Sequence, residues 1–142
     1  MILAYKPMDH EGDPGRAVMQ AMEAGKRVAY PLCGPAYSLR LLLPLEPEAF
    51  IRGRYGLWEP IPARCREVQP DEIQLIIVPG MAFDRQCRRL GKGGGYYDRL
   101  LAASGAFCAG FALDTQLVAH VPTGEQDIPM DAVVFSGGIW IR

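Results

Sequence analysis

The chain has 142 residues, and 49% of them are hydrophobic. That suits one compact domain, residues 1–142, with a real core, since domains commonly run about 100–150 residues. The formal net charge is −1, so nothing global attracts nucleic acid or an anionic membrane, and any anion site has to be local.

Apolar runs such as 41–44 and 75–79 are strand-sized, far short of the roughly 20 residues a bilayer needs. The N-terminus turns polar after five residues, unlike the long apolar region of a signal peptide. Cys33, Cys65, Cys87 and Cys108 are widely spaced, and neither His10 nor His120 neighbours a cysteine. Disulfide frameworks and zinc sites need closer spacing. We read the cysteines as reduced, mostly structural, and the protein as cytoplasmic, with no role for either histidine.

In chain order, residues 1–5 read as a strand. Asp13 is an N-cap candidate with Pro14 at the first helical position. Val18, Met19 and Met22 form an apolar stripe at helical spacing, and Gly25 stops the helix. Residues 27–31 form a second strand, and this strand–helix–strand unit favours parallel pairing. Residues 38–44 make another strand. Residues 46–66, broken by prolines and holding Tyr55, read as irregular surface chain. Residues 73–79 are a near-continuous apolar run, as in strands buried on both faces. A loop (80–95), a helix (96–104), a strand (107–113) and a last strand (132–135) follow. The alternation predicts an α/β fold: three α/β/α layers around a mostly parallel sheet, with ligands beyond the carboxyl ends of its strands.

The segment 79–98 reads PGMAFDRQCRRLGKGGGYYD. It combines Arg85, Arg88, Arg89 and Lys92 with Gly91, Gly93, Gly94 and Gly95, directly before a helix. Glycines let backbone N–H groups approach an anion. A helix start adds unpaired N–H groups and a positive dipole end. Lysine and arginine add charge-assisted hydrogen bonds to phosphate oxygens. Two familiar phosphate motifs do not fit: Gly93 stands where a P-loop has Ser or Thr, and Tyr96 where a dinucleotide loop has glycine. Composition alone leaves a solvated turn open, with Tyr96 and Tyr97 as core anchors and Asp98 as a first-turn acid.

Order and residue identity go further. Pro79, Gly80, Phe83 and Asp84, then Arg89, Leu90, Gly91, Gly93, Gly95, Tyr96, Tyr97 and Asp98, resemble the signature of the 5-formyltetrahydrofolate cyclo-ligase family. Glu11 and Asp13, Gly25-Lys26 with Pro31, Gly56 with Glu59-Pro60, and Gln116, Pro122, Asp127 and Asp131 match other elements, so the likeness covers nearly the whole chain. It implies a sheet like that of the NagB/RpiA/CoA transferase-like fold. It also implies ATP-driven, Mg-dependent cyclisation of 5-formyltetrahydrofolate to 5,10-methenyltetrahydrofolate, by a monomer or homodimer.

By that resemblance, Arg89, Leu90, Gly91, Lys92, Gly93, Gly94, Gly95, Tyr96 and Tyr97 hold ATP, with Arg89, Lys92 and Tyr97 catalytic. Asp98 and Asp127 bind Mg²⁺. Glu11, Trp58 and Tyr97 face the folate. Glu11 as a turn acid, Trp58 as a packing aromatic and Asp131 as a strand-start residue are the plainer alternatives. Family members usually open with further helices whose lysine and arginine contact ATP, whereas this chain starts almost at the first strand. A non-catalytic folate or nucleotide binder, and an ATP-dependent ligase for another small acid, therefore stay open beside the cyclo-ligase.

Overall fold

A computed structural model describes residues 1–53 and 56–142; Tyr55, read above as part of an irregular stretch, lies outside them. β1 (Ile2–Leu3), α1 (Gly15–Glu23) and β2 (Val28–Cys33) form the first crossover. β3 (Leu39–Pro44) turns back along β2. β4 (Phe50–Arg52) and β5 (Trp58–Pro60) make a separate hairpin, and β6 (Cys65–Val68) closes that edge of the sheet. β7 (Leu75–Val78) leads into a small hairpin of β8 (Ala82–Phe83) and β9 (Arg89–Leu90). Then come α2 (Tyr96–Ala103), β10 (Phe107–Phe111), β11 (Ala132–Phe135) and β12 (Gly138–Ile141).

The main sheet has eight strands in the order β12-β11-β10-β7-β1-β2-β3-β6. The five central strands β11, β10, β7, β1 and β2 are parallel, and β12, β3 and β6 add antiparallel edges. From β1 the chain crosses to β2 on one side; from β7 it crosses to β10 on the other. The winding direction therefore reverses between β1 and β7. Crossovers of one hand leaving in opposite directions put their helices on opposite faces. The packing shows this: Val18 of α1 shares one buried cluster with Val28, Tyr30 and Ile77, whereas Leu100 and Leu101 of α2 share another with Leu3, Ala29, Ile76 and Val78. Successive strand residues point to opposite faces, so burial of both sets makes the central strands apolar throughout.

The expected mostly parallel α/β/α sheet is present, with each helical layer reduced to one short helix among the described residues. The described part of 46–66 is not irregular: it contains β4, β5 and the start of β6. The expected loop 80–95 contains β8 and β9, and β12 follows the strand expected to be last. Helix α1 begins one residue later than read, because the Asp13 Oδ1 accepts the Gly15 N–H (2.8 Å). Gly25, at φ +79°, ends it in a backbone conformation suited to glycine.

Candidate active site

The carboxyl ends of β1, β2 and β7 meet where the winding reverses, the position at which open α/β sheets collect ligands. A cleft of about 420 Å³ opens there. Tyr5, Lys6 and Glu11 line it after β1, Cys33 at the end of β2, and Pro79 and Gly80 after β7. The segment Arg89 to Asp98 supplies one wall, and Leu57 to Pro60 another. Every residue that the sequence reading gave a site role lines this cleft: Glu11, Trp58, Arg89, Leu90, Gly91, Lys92, Gly93, Gly94, Gly95, Tyr96, Tyr97, Asp98 and Asp127.

Three polar anchors hold the segments around the cleft. The fully buried Asp84 carboxylate accepts N–H bonds from Gln86, Arg88 and Val121 and pairs with the Arg88 guanidinium at 2.7 Å. Burial raises its pKa, but these donors outweigh burial and hold it below the usual carboxylate range. The buried Gln116 amide donates to the Gly80 carbonyl (2.6 Å) and the His10 carbonyl (3.1 Å), tying together the turns after β7 and β1. Finally, Arg99 donates to the Gly94 carbonyl at 2.9 Å. The packing beneath is tight. A Cβ on Gly110 would lie 2.5 Å from the Phe83 ring, and one on Gly80 2.7 Å from it. Sequence reading quoted Asp84 and Gln116 but gave them no task, because their partners lie far along the chain.

Within the wall, Gly93 and Gly95 take φ of +90° and +66°, where a side chain is strained. Among the described residues, the N–H groups of Gly93, Gly94 and Gly95 meet no backbone acceptor. Helix α2 begins at Tyr96, and its first N–H groups have no intrahelical partner. Arg89 is 7% exposed; its Nη2 lies 3.1 Å from both Asp98 oxygens and its Nη1 3.3 Å from the Pro79 carbonyl. Its buried Nε has no partner among the described residues. Lys92 reaches across the cleft to the Glu11 carboxylate at 2.8 Å, and Glu11 also accepts the Met8 N–H at 2.9 Å.

Tyr97 lies with its ring centroid 5.8 Å from the Arg89 guanidinium. Burial pushes its phenol far above the usual range, so the hydroxyl keeps its proton. Trp58 is half exposed on the β4–β5 hairpin, under the Arg52 guanidinium (4.9 Å). Asp127 accepts the Gly124 N–H through Oδ2 at 2.7 Å, and the Ile128 N–H reaches Asp98 at 3.4 Å. Asp131 serves the sheet: it accepts the Cys108 N–H (2.8 Å) and pairs with Arg142 (3.1 Å).

Comparison with known proteins identifies the family. The model of the 5-formyltetrahydrofolate cyclo-ligase family matches residues 1–136. The chain belongs to that family. The 5-formyltetrahydrofolate cyclo-ligase of Escherichia coli is 35% identical over 145 residues, covering 98% of this chain and 79% of that protein. The cyclo-ligase of Mycolicibacterium smegmatis is 31% identical over 140 residues, covering 94% and 72%. The solution structure of Aquifex aeolicus 5,10-methenyltetrahydrofolate synthetase superposes with a TM-score of 0.81 at 29% identity, covering 99% of this chain and 70% of that one. Membership places the chain among cyclo-ligases, which are enzymes. No helix among the described residues is long and apolar enough to cross a membrane.

Proposed function

We propose that the chain catalyses the ATP- and Mg-dependent cyclisation of 5-formyltetrahydrofolate to 5,10-methenyltetrahydrofolate. The observation that carries this reading is the meeting, in one cleft, of a glycine-exposed N–H row with the cations Arg89 and Lys92, opposite Glu11 and Trp58. A family whose relatives bear the cyclo-ligase name supplies the reaction.

The residues present fit a triphosphate. The glycine N–H groups are available, the buried Arg89 Nε lacks an acceptor, and Lys92 brings a half-exposed ammonium. They also fit magnesium, which typically takes one or two carboxylates together with phosphate oxygens and waters. Asp98 and Asp127, both lining the cleft, would hold the ion. When bound, MgATP supplies the γ-phosphoryl group that turns the substrate's formyl oxygen into a leaving group, so that the neighbouring amine nitrogen can close the ring.

The protein's own work is positioning and charge neutralisation. Arg89 and Lys92 offset phosphate charge. Glu11 accepts from the pterin's N–H donors. Trp58 and Tyr97 flank the flat ring, and the protonated Tyr97 hydroxyl donates rather than acts as a base.

The test is to follow the absorbance of the methenyl product while omitting ATP, Mg²⁺ or 5-formyltetrahydrofolate in turn. The reading expects product only in the complete mixture. Complete mixtures that yield none would contradict it.

A further inference from the structure

Among the described residues, four acids and three cations line the cleft: Glu11, Glu59, Asp98 and Asp127 against Lys6, Arg89 and Lys92. Arg89 is committed to Asp98 and Lys92 to Glu11. Lys6 differs. Among the described residues no carboxylate lies within 4.0 Å of its ammonium. Instead its Nζ sits 4.6 Å from the Phe50 ring centroid and 5.1 Å from that of Tyr30. These rings meet edge to face, 5.0 Å apart at 89°. The sheet strand β2 and the β4–β5 hairpin thus build one aromatic seat for one cation. Ring faces hold an ammonium in place without cancelling its charge, so its N–H groups remain competent to bind an anion.

Place adds a second argument. Tyr5, Lys6 and Tyr30 line both the main cleft and a second groove that runs along α1 past Val18 and Met22. Lys6 therefore stands where the cleft opens outward. The glycine-rich wall suits phosphates, and Glu11 with Trp58 suits the pterin. The remaining anionic part of a folate is the glutamate at the far end of its aminobenzoyl arm.

We infer that Lys6, seated on Tyr30 and Phe50 at the cleft mouth, binds a glutamate carboxylate of the folate substrate and so favours glutamylated folates over the bare pteroate. This rests on the proposed cyclo-ligase reading. Its chemistry, an ammonium receiving an anion, would also serve an ATP phosphate, and the experiment separates the two.

The experiment compares the wild-type protein with Lys6→Met, which keeps the stem's length and removes the charge. KM is measured for 5-formyltetrahydrofolate, for 5-formyltetrahydropteroate, which lacks the glutamate, and for ATP. Lys6→Met is expected to raise KM for the folate about tenfold, as loss of a charge-assisted hydrogen bond does. KM for the pteroate and for ATP should be the same in both proteins. An unchanged folate KM, a rise in ATP KM instead, or a parallel rise for folate and pteroate would each overturn the assignment. Calorimetric binding of the folate and the pteroate without ATP makes the same decision if no product forms; that absence of product would count against the cyclo-ligase reading alone.

Discussion

Glu11 and Lys92 stand 2.8 Å apart across the cleft, one after β1 and the other in the glycine-rich wall. The carboxylate proposed to face the pterin and the ammonium proposed to face phosphate thus neutralise each other before ligands arrive. Glu11→Gln releases Lys92. We expect MgATP, titrated calorimetrically without folate, to bind about threefold more tightly to that variant, the scale of a partly exposed ion pair. The folate KM should rise in the same variant. Lys92→Ala should instead cripple ATP use and lower stability as well, since it strands the nearly buried Glu11 carboxylate.

Arg89 and Asp98 form the more buried pair, 5% and 21% exposed in their side chains. Arg89→Ala strands the Asp98 carboxylate. Loss of one partner of such a pair costs about 3 kcal/mol, which urea denaturation should report as a lower midpoint at unchanged slope. Asp98→Asn should cost less, because the amide oxygen still accepts from Arg89.

The glycines divide by what surrounds them. Gly110→Ala drives a methyl into the fully buried Phe83 ring, 2.5 Å from its nearest atom. Overpacking of that kind costs about 1–3 kcal/mol. A Cβ on Gly105 meets nothing within 4 Å, so Gly105→Ala should shift stability by no more than about 0.5 kcal/mol. Thermal melts of the two variants should separate clearly.

Asp84 makes the wall acid-sensitive. Its folded pKa lies below the usual carboxylate value of about 3.9. Its contribution to stability is therefore complete above about pH 4 and is lost as pH falls through the lower folded value. Asp84→Asn should flatten the pH dependence of the urea midpoint in that acid range.

Cys33 offers a reporter. It is exposed at the end of β2 and lines the cleft, whereas Cys87 and Cys108 are buried. Partial desolvation and the nearby Glu59 push the Cys33 thiol up. Burial, with Asp131 nearby, pushes Cys108 up to about 11. Maleimide should label Cys33 ahead of either buried thiol, and 5-formyltetrahydrofolate should slow that labelling. Mass spectrometry of the labelled peptides checks both.

Much of this was legible in the residues. The apolar period of 73–79 and the stripe through Val18 and Met22 gave a buried parallel strand and a helix, and the order strand, cations, glycines, helix marked the wall. Elements with local signals were read within a residue or two. The β4–β5 hairpin was not: its strands are three residues each, and Pro60 looks like a loop residue until pairing of β5 with β4 makes it a strand end. Asp84, Gln116 and Lys6 escaped for the same reason. What defines them is Val121, Gly80 and Phe50, which are 37, 36 and 44 positions away and meet them only in the fold.

The account's central claim is that the N–H groups of Gly93, Gly94 and Gly95 receive the nucleotide's phosphates. Titrating ¹⁵N-labelled protein with MgATP, and following those amide resonances, tests it most directly. We expect the three glycine signals and that of Tyr96 to shift together and saturate, and to shift far less in Lys92→Ala. Saturating movement elsewhere while those glycine signals stay fixed would contradict it.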